Sequence, residues 1–191
     1  MPGKTVRVGI SARHVHVSQA DLEVLYGAGH RLKPYKDLYQ KGYYAAEETV
    51  DLVTPKGTLK NVRILGPVRK ASQVEISRTD ALKLGLDVPV RDSGRLEGAP
   101  PITLVGPCGS VILPEGVIAA WRHIHLDPAA AAAFGVKDGD YVRVRCNSEI
   151  RPLILENVLI RVYPGWLPEI HLDTDEANAA MLENGDSVEI L

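Results

Sequence analysis

Along the chain, short apolar runs recur between turn-forming residues. Val6–Ser11, Thr49–Thr54, Val62–Leu65, Gln73–Ser77, Ile102–Val105, Tyr141–Arg145, Leu153–Val158 and Ser187–Leu191 are rich in Val, Ile and Leu. Gly, Pro, Asn or Asp bound them, which reads as strands ending in turns. Pro55-Lys56-Gly57 is one such turn. Helical signals are few and short. Ser18 ahead of Ala20-Asp21-Leu22 predicts an N-cap opening a helix to about Tyr26, with Gly27 as its stop. Thr79–Leu84 before Gly85, Asp127–Phe134 before Gly135, and Thr174–Leu182 before Gly185 follow the same plan. Short strands with regular turns predict small barrels in place of a parallel sheet.

The pattern repeats. ISARHVHVSQADLEVLYG (Ile10–Gly27) resembles IAAWRHIHLDPAAAAAFG (Ile118–Gly135). KNVRILGPVRKASQVEISRTDA (Lys60–Ala81) resembles ENVLIRVYPGWLPEIHLDTDEA (Glu156–Ala177), and their gap-free pairing sets Asn61 against Asn157 and Glu75 against His171. Two copies mean a duplicated domain and not a solenoid. The second copy starts near residue 115, and the proline-containing segment Gly94–Gly109 reads as the connector. The fold class expected is mainly β: two small β-barrel domains related by internal duplication, with short helices.

Composition narrows the function classes. The chain has 191 residues, 45% of them hydrophobic, with a net charge of -2. That balance gives no global attraction to nucleic acid or to an anionic membrane surface. The N-terminus, MPGKTVRVGI, has no apolar core of a signal peptide, and no apolar stretch approaches a membrane span. Cys108 and Cys146 form neither a CxxC pattern nor a disulfide framework, so a cytoplasmic protein is expected.

Chemistry concentrates in the histidines. Four of the six lie in two RHxH motifs, Arg13-His14-Val15-His16 and Arg122-His123-Ile124-His125. Residues two apart on a strand face the same way, so each HxH presents two imidazoles side by side. A single HxH also reads as a pair of surface histidines. Two of them at matching places in a repeat point to a metal, zinc by ligand type. His171 and its counterpart Glu75 add one further ligand type to each copy. His30 fits no such pattern and reads as a loop residue. Anion binding has local candidates: Arg69 and Lys70 after the Gly66-Pro67 turn, and the loop Arg91-Asp92-Ser93-Gly94. Arginine forks and loop amides suit phosphate, although surface arginines near turns are common. There is no GxSxG, HExxH, GxGxxG or P-loop, and nothing places a base beside Cys108.

The motifs GISARHVHVSQADLE, YAAEETVDLVTPKGTLKNVRILGP, RKASQVEISRTDA, GVIAAWRHIHL and EIHLDTDEANAA together resemble the PduL-type phosphate acyltransferases, or phosphate propanoyltransferases. The likeness runs from Val8 to about Ala180. It implies two β-barrel domains with an active site between them and a swapped division of the chain. The central domain would span 13–120, and the second would span 121–191 completed by an N-terminal strand at 3–12. A small two-stranded excursion would lie near Tyr43–Val53. It also implies two zinc ions per chain. His14 and His16 would hold one, and His123, His125, His171 and Glu75 the other. Arg69 and Ser93 match the catalytic, phosphate-binding positions. Ser11, Lys36, Arg63, Leu65 and Asn178 match positions near coenzyme A. Some relatives carry a cysteine directly before the second HxH as a further ligand of the first zinc. Here that residue is Arg122, which implies a sparser first site.

The implied reaction is zinc-dependent transfer of a short acyl group, acetyl or propanoyl, between coenzyme A and inorganic phosphate. Phosphate attacks the thioester directly, giving acyl phosphate and free coenzyme A. Partners expected are acyl-CoA or CoA, phosphate or acyl phosphate, and a second copy in a homodimer; no nucleic acid or membrane is expected. Relatives in bacterial microcompartments carry an extra amphipathic helix ahead of the first motif. About twelve residues precede His14 here, so a cytoplasmic enzyme is the expectation. The competing readings are a dinuclear zinc hydrolase of a thioester or phosphoester, and a scaffold stapled by structural zinc.

Overall fold

The computed structural model describes residues 4–191. These fall into two compact units, 4–12 with 121–191, and 13–120. Position 3, where the first strand is expected to begin, lies outside the described residues; β1 runs Thr5–Ser11. The middle unit holds β2 (His14–His16), α1 (Gln19–Tyr26), β3 (Pro34–Asp37), β4 (Tyr44–Val53), β5 (Thr58–Gly66), β6 (Gln73–Glu75) and α2 (Arg78–Leu84). It continues with β7 (Val90–Arg91), β8 (Ile102–Val105), β9 (Ser110–Leu113) and β10 (Val117–Ala120). The C-terminal part adds β11 (His123–Leu126), α3 (Pro128–Phe134), β12 (Tyr141–Cys146), β13 (Leu153–Val162), β14 (Glu169–Asp173), α4 (Thr174–Ala180) and β15 (Ser187–Ile190).

The helices start where capping chemistry places them. Ser18, Ser77 and Asp127 each accept a hydrogen bond from the amide three residues on, and Asp173 from the amides of Asp175 and Glu176. Gly85 and Gly135 end α2 and α3 in the left-handed conformation, which costs glycine little. The fourth helix is shorter than its pattern predicts. Met181 takes the left-handed cap at φ 54, so α4 stops at Ala180 well before Gly185. No helix among the described residues is long and apolar enough to cross a membrane.

The unit containing both chain ends is a closed barrel, ordered β1-β14-β11-β13-β12-β15. β1 closes it by running parallel to β14 and antiparallel to β15. Val8, Ile124, Leu126, Ile160, Ile170 and Leu172 fill its interior. The middle unit is a curled sheet, ordered β7-β10-β6-β2-β5-β4-β8-β9, with β3 also on β4. The mainly β fold expected from the sequence is the one observed: one unit is a closed barrel and the other a curled half-barrel sheet. In the barrel, β15 joins β12 to β1. In the sheet the outer edge of β4, the counterpart of β12, is taken by β3 and β8, and β7 pairs only with β10. At the start of the region Tyr43–Val53, where a two-stranded excursion is implied, β3 pairs with β4 off the main path of the sheet, while β4 also pairs with β5 and β8.

The duplication is legible in backbone detail. Asn61 in β5 and Asn157 in β13, paired by the repeat, both adopt positive φ, 55° and 54°. Each sits in a β-bulge, where the β4–β5 and β12–β13 registers slip. Asparagine enters this region at less cost than most residues.

Candidate metal and phosphate site

Each unit builds the same four-cornered patch from an antiparallel strand pair. In the sheet, β2 lies against β6, with His14 opposite Glu75 and His16 opposite Gln73. In the barrel, β11 lies against β14, with His123 opposite His171 and His125 opposite Glu169. Strand alternation turns all four side chains of each patch to one face. His14, His16 and Glu75 bring ligand atoms within 4.8 Å of one another, and so do His123, His125 and His171. The resemblance groups Glu75 with His123, His125 and His171; in the structure Glu75 stands with His14 and His16. Its carboxylate lies 3.5 Å from His14 Nε2 and 3.9 Å from His16 Nε2.

The donors suit a divalent metal. Both ring nitrogens of His125 are buried, yet neither has a hydrogen-bond partner. Burial first, then His123 and His171, pushes its pKa down, so the ring stays neutral. A neutral imidazole with unshared nitrogens among other imidazoles is a ligand in waiting. His123 Nδ1 lies 2.7 Å from the Trp121 carbonyl, which can only accept. That contact fixes the tautomer, with the proton on Nδ1. His16 is lowered to about 3 by burial, then by His14 and Arg69, with Glu75 and the Leu65 backbone opposing. Burial alone would raise Glu75, but His14, His16, Ser93 and Arg69 outweigh it and hold the carboxyl at about 2. Glu75 is therefore an anion at neutral pH, as a metal ligand must be.

The phosphate candidates adjoin the first patch. The Arg69 amide donates to the Val17 carbonyl at 2.8 Å, anchoring the turn after β5 beside the end of β2. Arg69 Nη1 donates to Ser93 Oγ at 3.0 Å, and Ser93 Oγ donates to Glu75 Oε1 at 2.9 Å. Gln73 Nε2 also reaches Ser93 Oγ, at 2.8 Å, while Gln73 Oε1 accepts from the Gly94 amide at 2.7 Å. One chain of contacts thus joins guanidinium, hydroxyl and metal-ligating carboxylate.

The coenzyme A candidates are only partly gathered. Lys36 pairs with Ala45 across β3–β4, and Ala45 with Leu65 across β4–β5, so Lys36 and Leu65 share one row of the sheet. Arg63 lies two residues along β5 from Leu65; its guanidinium sits 5.3 Å from the Tyr35 ring centre and donates to the Ala46 and Glu47 carbonyls. Ser11, at the end of β1 opposite Asp173, and Asn178, on the exposed side of α4, belong to the barrel. His30 joins neither patch. It binds the buried Glu48 at 2.7 Å and stacks on Tyr26. Cys108 is exposed, and burial lifts the Cys146 thiol to about 11, far from a neutral-pH nucleophile.

Three site residues escape a motif reading. Gln73 and Glu169 complete the patches, and strand alternation two residues before Glu75 and His171 is the signal that marks them. Glu169 Oε2 lies 3.0 Å from His171 Nε2. Gly9 makes room for it, since a Cβ there would come 2.7 Å from Glu169 Oε1. Trp166, which stacks on His125 with ring centres 3.8 Å apart, carries no sequence signal of that contact.

Known proteins resemble this chain along most of its length. The phosphate propanoyltransferase family profile matches residues 7–183. A phosphate propanoyltransferase of Thermotoga maritima is 58% identical over 184 residues, covering 96% of this chain and 88% of the relative. Those of Lachnoclostridium phytofermentans and Salmonella typhimurium are each 52% identical, over 99% and 96% of this chain and 88% and 87% of their own lengths. The match to this family makes the two-unit β protein an acyltransferase. The chain belongs to the phosphate propanoyltransferase family.

Proposed function

We propose that this enzyme transfers an acetyl or propanoyl group between coenzyme A and inorganic phosphate, using zinc held by the two His-rich patches. The observation carrying this reading is the Arg69–Ser93–Glu75 chain, which sets an anion-binding arginine and a hydroxyl against a metal ligand. His14, His16 and Glu75 would hold one zinc, and His123, His125 and His171 the other. Zinc supplies Lewis acidity toward a thioester oxygen and a favourable site for a thiolate.

The remaining work falls to the chain. Arg69 binds phosphate and offsets its charge, and Ser93 orients one of its oxygens. Fixing the nucleophile beside the carbonyl supplies several kcal/mol of the barrier by removing orientational freedom. Lys36 and Arg63 offer cationic contacts to the phosphates of coenzyme A, with Leu65 in the same row of the sheet. No side chain forms an acyl intermediate, so phosphate attacks in a ternary complex. Acetyl and propanoyl differ by one methylene, worth about 1–3 kcal/mol in a pocket, so both should react at different rates.

The test is release of free thiol from acetyl-CoA and propanoyl-CoA, with and without phosphate, before and after chelation. Phosphate-dependent release that chelator abolishes and zinc restores is the expected result. Release independent of phosphate would establish a hydrolase, and full activity after metal removal would exclude the zinc.

A further inference from the structure

Both RHxH motifs begin with an arginine that offers no ligand to a metal, yet the two arginines do the same thing. Arg13 Nε donates to Asp80 Oδ2 at 2.7 Å. Arg122 Nε lies 3.0 Å from Glu176 Oε1. Asp80 and Glu176 hold one position in the duplicated design. Each is the third helical residue after its N-cap, Ser77 or Asp173. Each N-cap in turn lies two residues beyond the third ligand of its patch, Glu75 or His171.

The pairs therefore span the gap that matters. His14 stands directly opposite Glu75, and His123 directly opposite His171. The arginine is the residue just before the HxH on one strand. The acid is on the helix just after the partner strand. Each pair ties together the two segments whose spacing sets the ligand triangle. Asp80 is buried, with 2% of its side chain exposed, and also takes Lys83 at 3.2 Å. Burial raises Glu176, and Arg122 opposes the rise. Arg122 also stands where the family resemblance has a cysteine in some members; in this chain that residue is tied to Glu176.

We propose that Arg13–Asp80 and Arg122–Glu176 are paired positioning residues that hold each HxH strand in metal-binding register with its third ligand. The inference rests on the reading that the patches hold metal. Residues bonded directly to metal ligands change metal affinity by about 10–100-fold when removed, and these pairs, which act through the strands, should reach the lower end of that range.

The test uses metal affinity and spectrum in the full chain. Cobalt(II) is titrated into chelator-treated wild type, into Arg13→Gln/Asp80→Asn and into Arg122→Gln/Glu176→Gln, with chelator competition for zinc. Neutralising both partners avoids stranding a buried carboxylate without its cation. Wild type should bind two equivalents. Each double variant should lose affinity at least tenfold for one equivalent, keep the other, and show an altered cobalt visible spectrum. Wild-type affinity and spectrum in the variants, even with a lowered melting temperature, would make the pairs merely structural and overturn the proposal. Where a double variant does not fold, Arg13→Lys and Arg122→Lys replace it. They keep the charge but lose the fork, so a shifted cobalt spectrum supports the proposal and an unchanged one overturns it. Failure of wild type to bind cobalt or zinc at all would defeat the metal reading itself, a separate result.

Discussion

At the scale of single residues, protonation and charge carry the most direct consequences. His16 titrates near 6.5 in an unfolded chain but only near 3 in the fold, chiefly because it is buried. Between those values the unfolded chain holds the extra proton, so the metal-free protein loses stability as pH falls from about 6.5 toward 3. Glu75, held at about 2 against an ordinary 4.5, adds a loss of the same sign below about pH 4.5. The urea midpoint of chelator-treated protein should be lower at about pH 5 than at about pH 7.5, and His16→Gln should flatten that difference. Arg69→Ala removes charged hydrogen bonds worth about 1.5–3 kcal/mol each. The KM for phosphate should rise on the order of tenfold to a hundredfold while the KM for acyl-CoA stays near wild type; an unchanged phosphate KM would remove Arg69 from that role. Trp166 stacks on His125, so its emission should respond to zinc. Trp166→Phe should abolish the response and Trp121→Phe should keep it. Of these residues, the histidines, Glu75, Arg69 and Ser93 were readable as candidates because HxH spacing and arginine near a turn are local patterns. Trp166 was not, because its contact depends on how the turn after β13 folds back over β11.

At the scale of elements, the apolar runs marked the longer strands, though not their full extents, and the caps predicted all four helix starts to within a residue. Those signals depend on neighbours in sequence. The short strands β3, β7, β9, β10 and β14 were missed, since they are two to five residues long and owe their pairing to partners elsewhere. The bulges are elements with a testable cost. Left-handed backbone disfavours most L-residues by about 1–2 kcal/mol, and glycine escapes this. Asn157→Val should therefore destabilise the barrel clearly in urea melts, and Asn157→Gly should stay close to wild type. Equal losses for the two would show that the Asn157 side chain, not its backbone, matters.

At the scale of the whole molecule, β1 lies far in sequence from the strands it joins. It supplies Val6 and Val8 to the barrel interior and links β14 to β15. Removing residues 4–12 should leave the barrel open. Limited proteolysis should then cleave within 121–191 although His123, His125 and His171 are all still present; equal resistance in the truncated and full chains would contradict this account. The sequence by itself determined the duplication, the candidate ligand types and the helix starts, because repeats, alternation and capping are written within a few residues. Only the tertiary structure decided that one unit closes and the other stays a curled sheet, because competing strands at the edge of β4 settle closure. Likewise, it took the folded chain to seat Glu75 beside His14 and His16 and to bring each RHxH arginine onto a carboxylate more than fifty residues away. Such contacts depend on which strands lie side by side, and no local pattern records that.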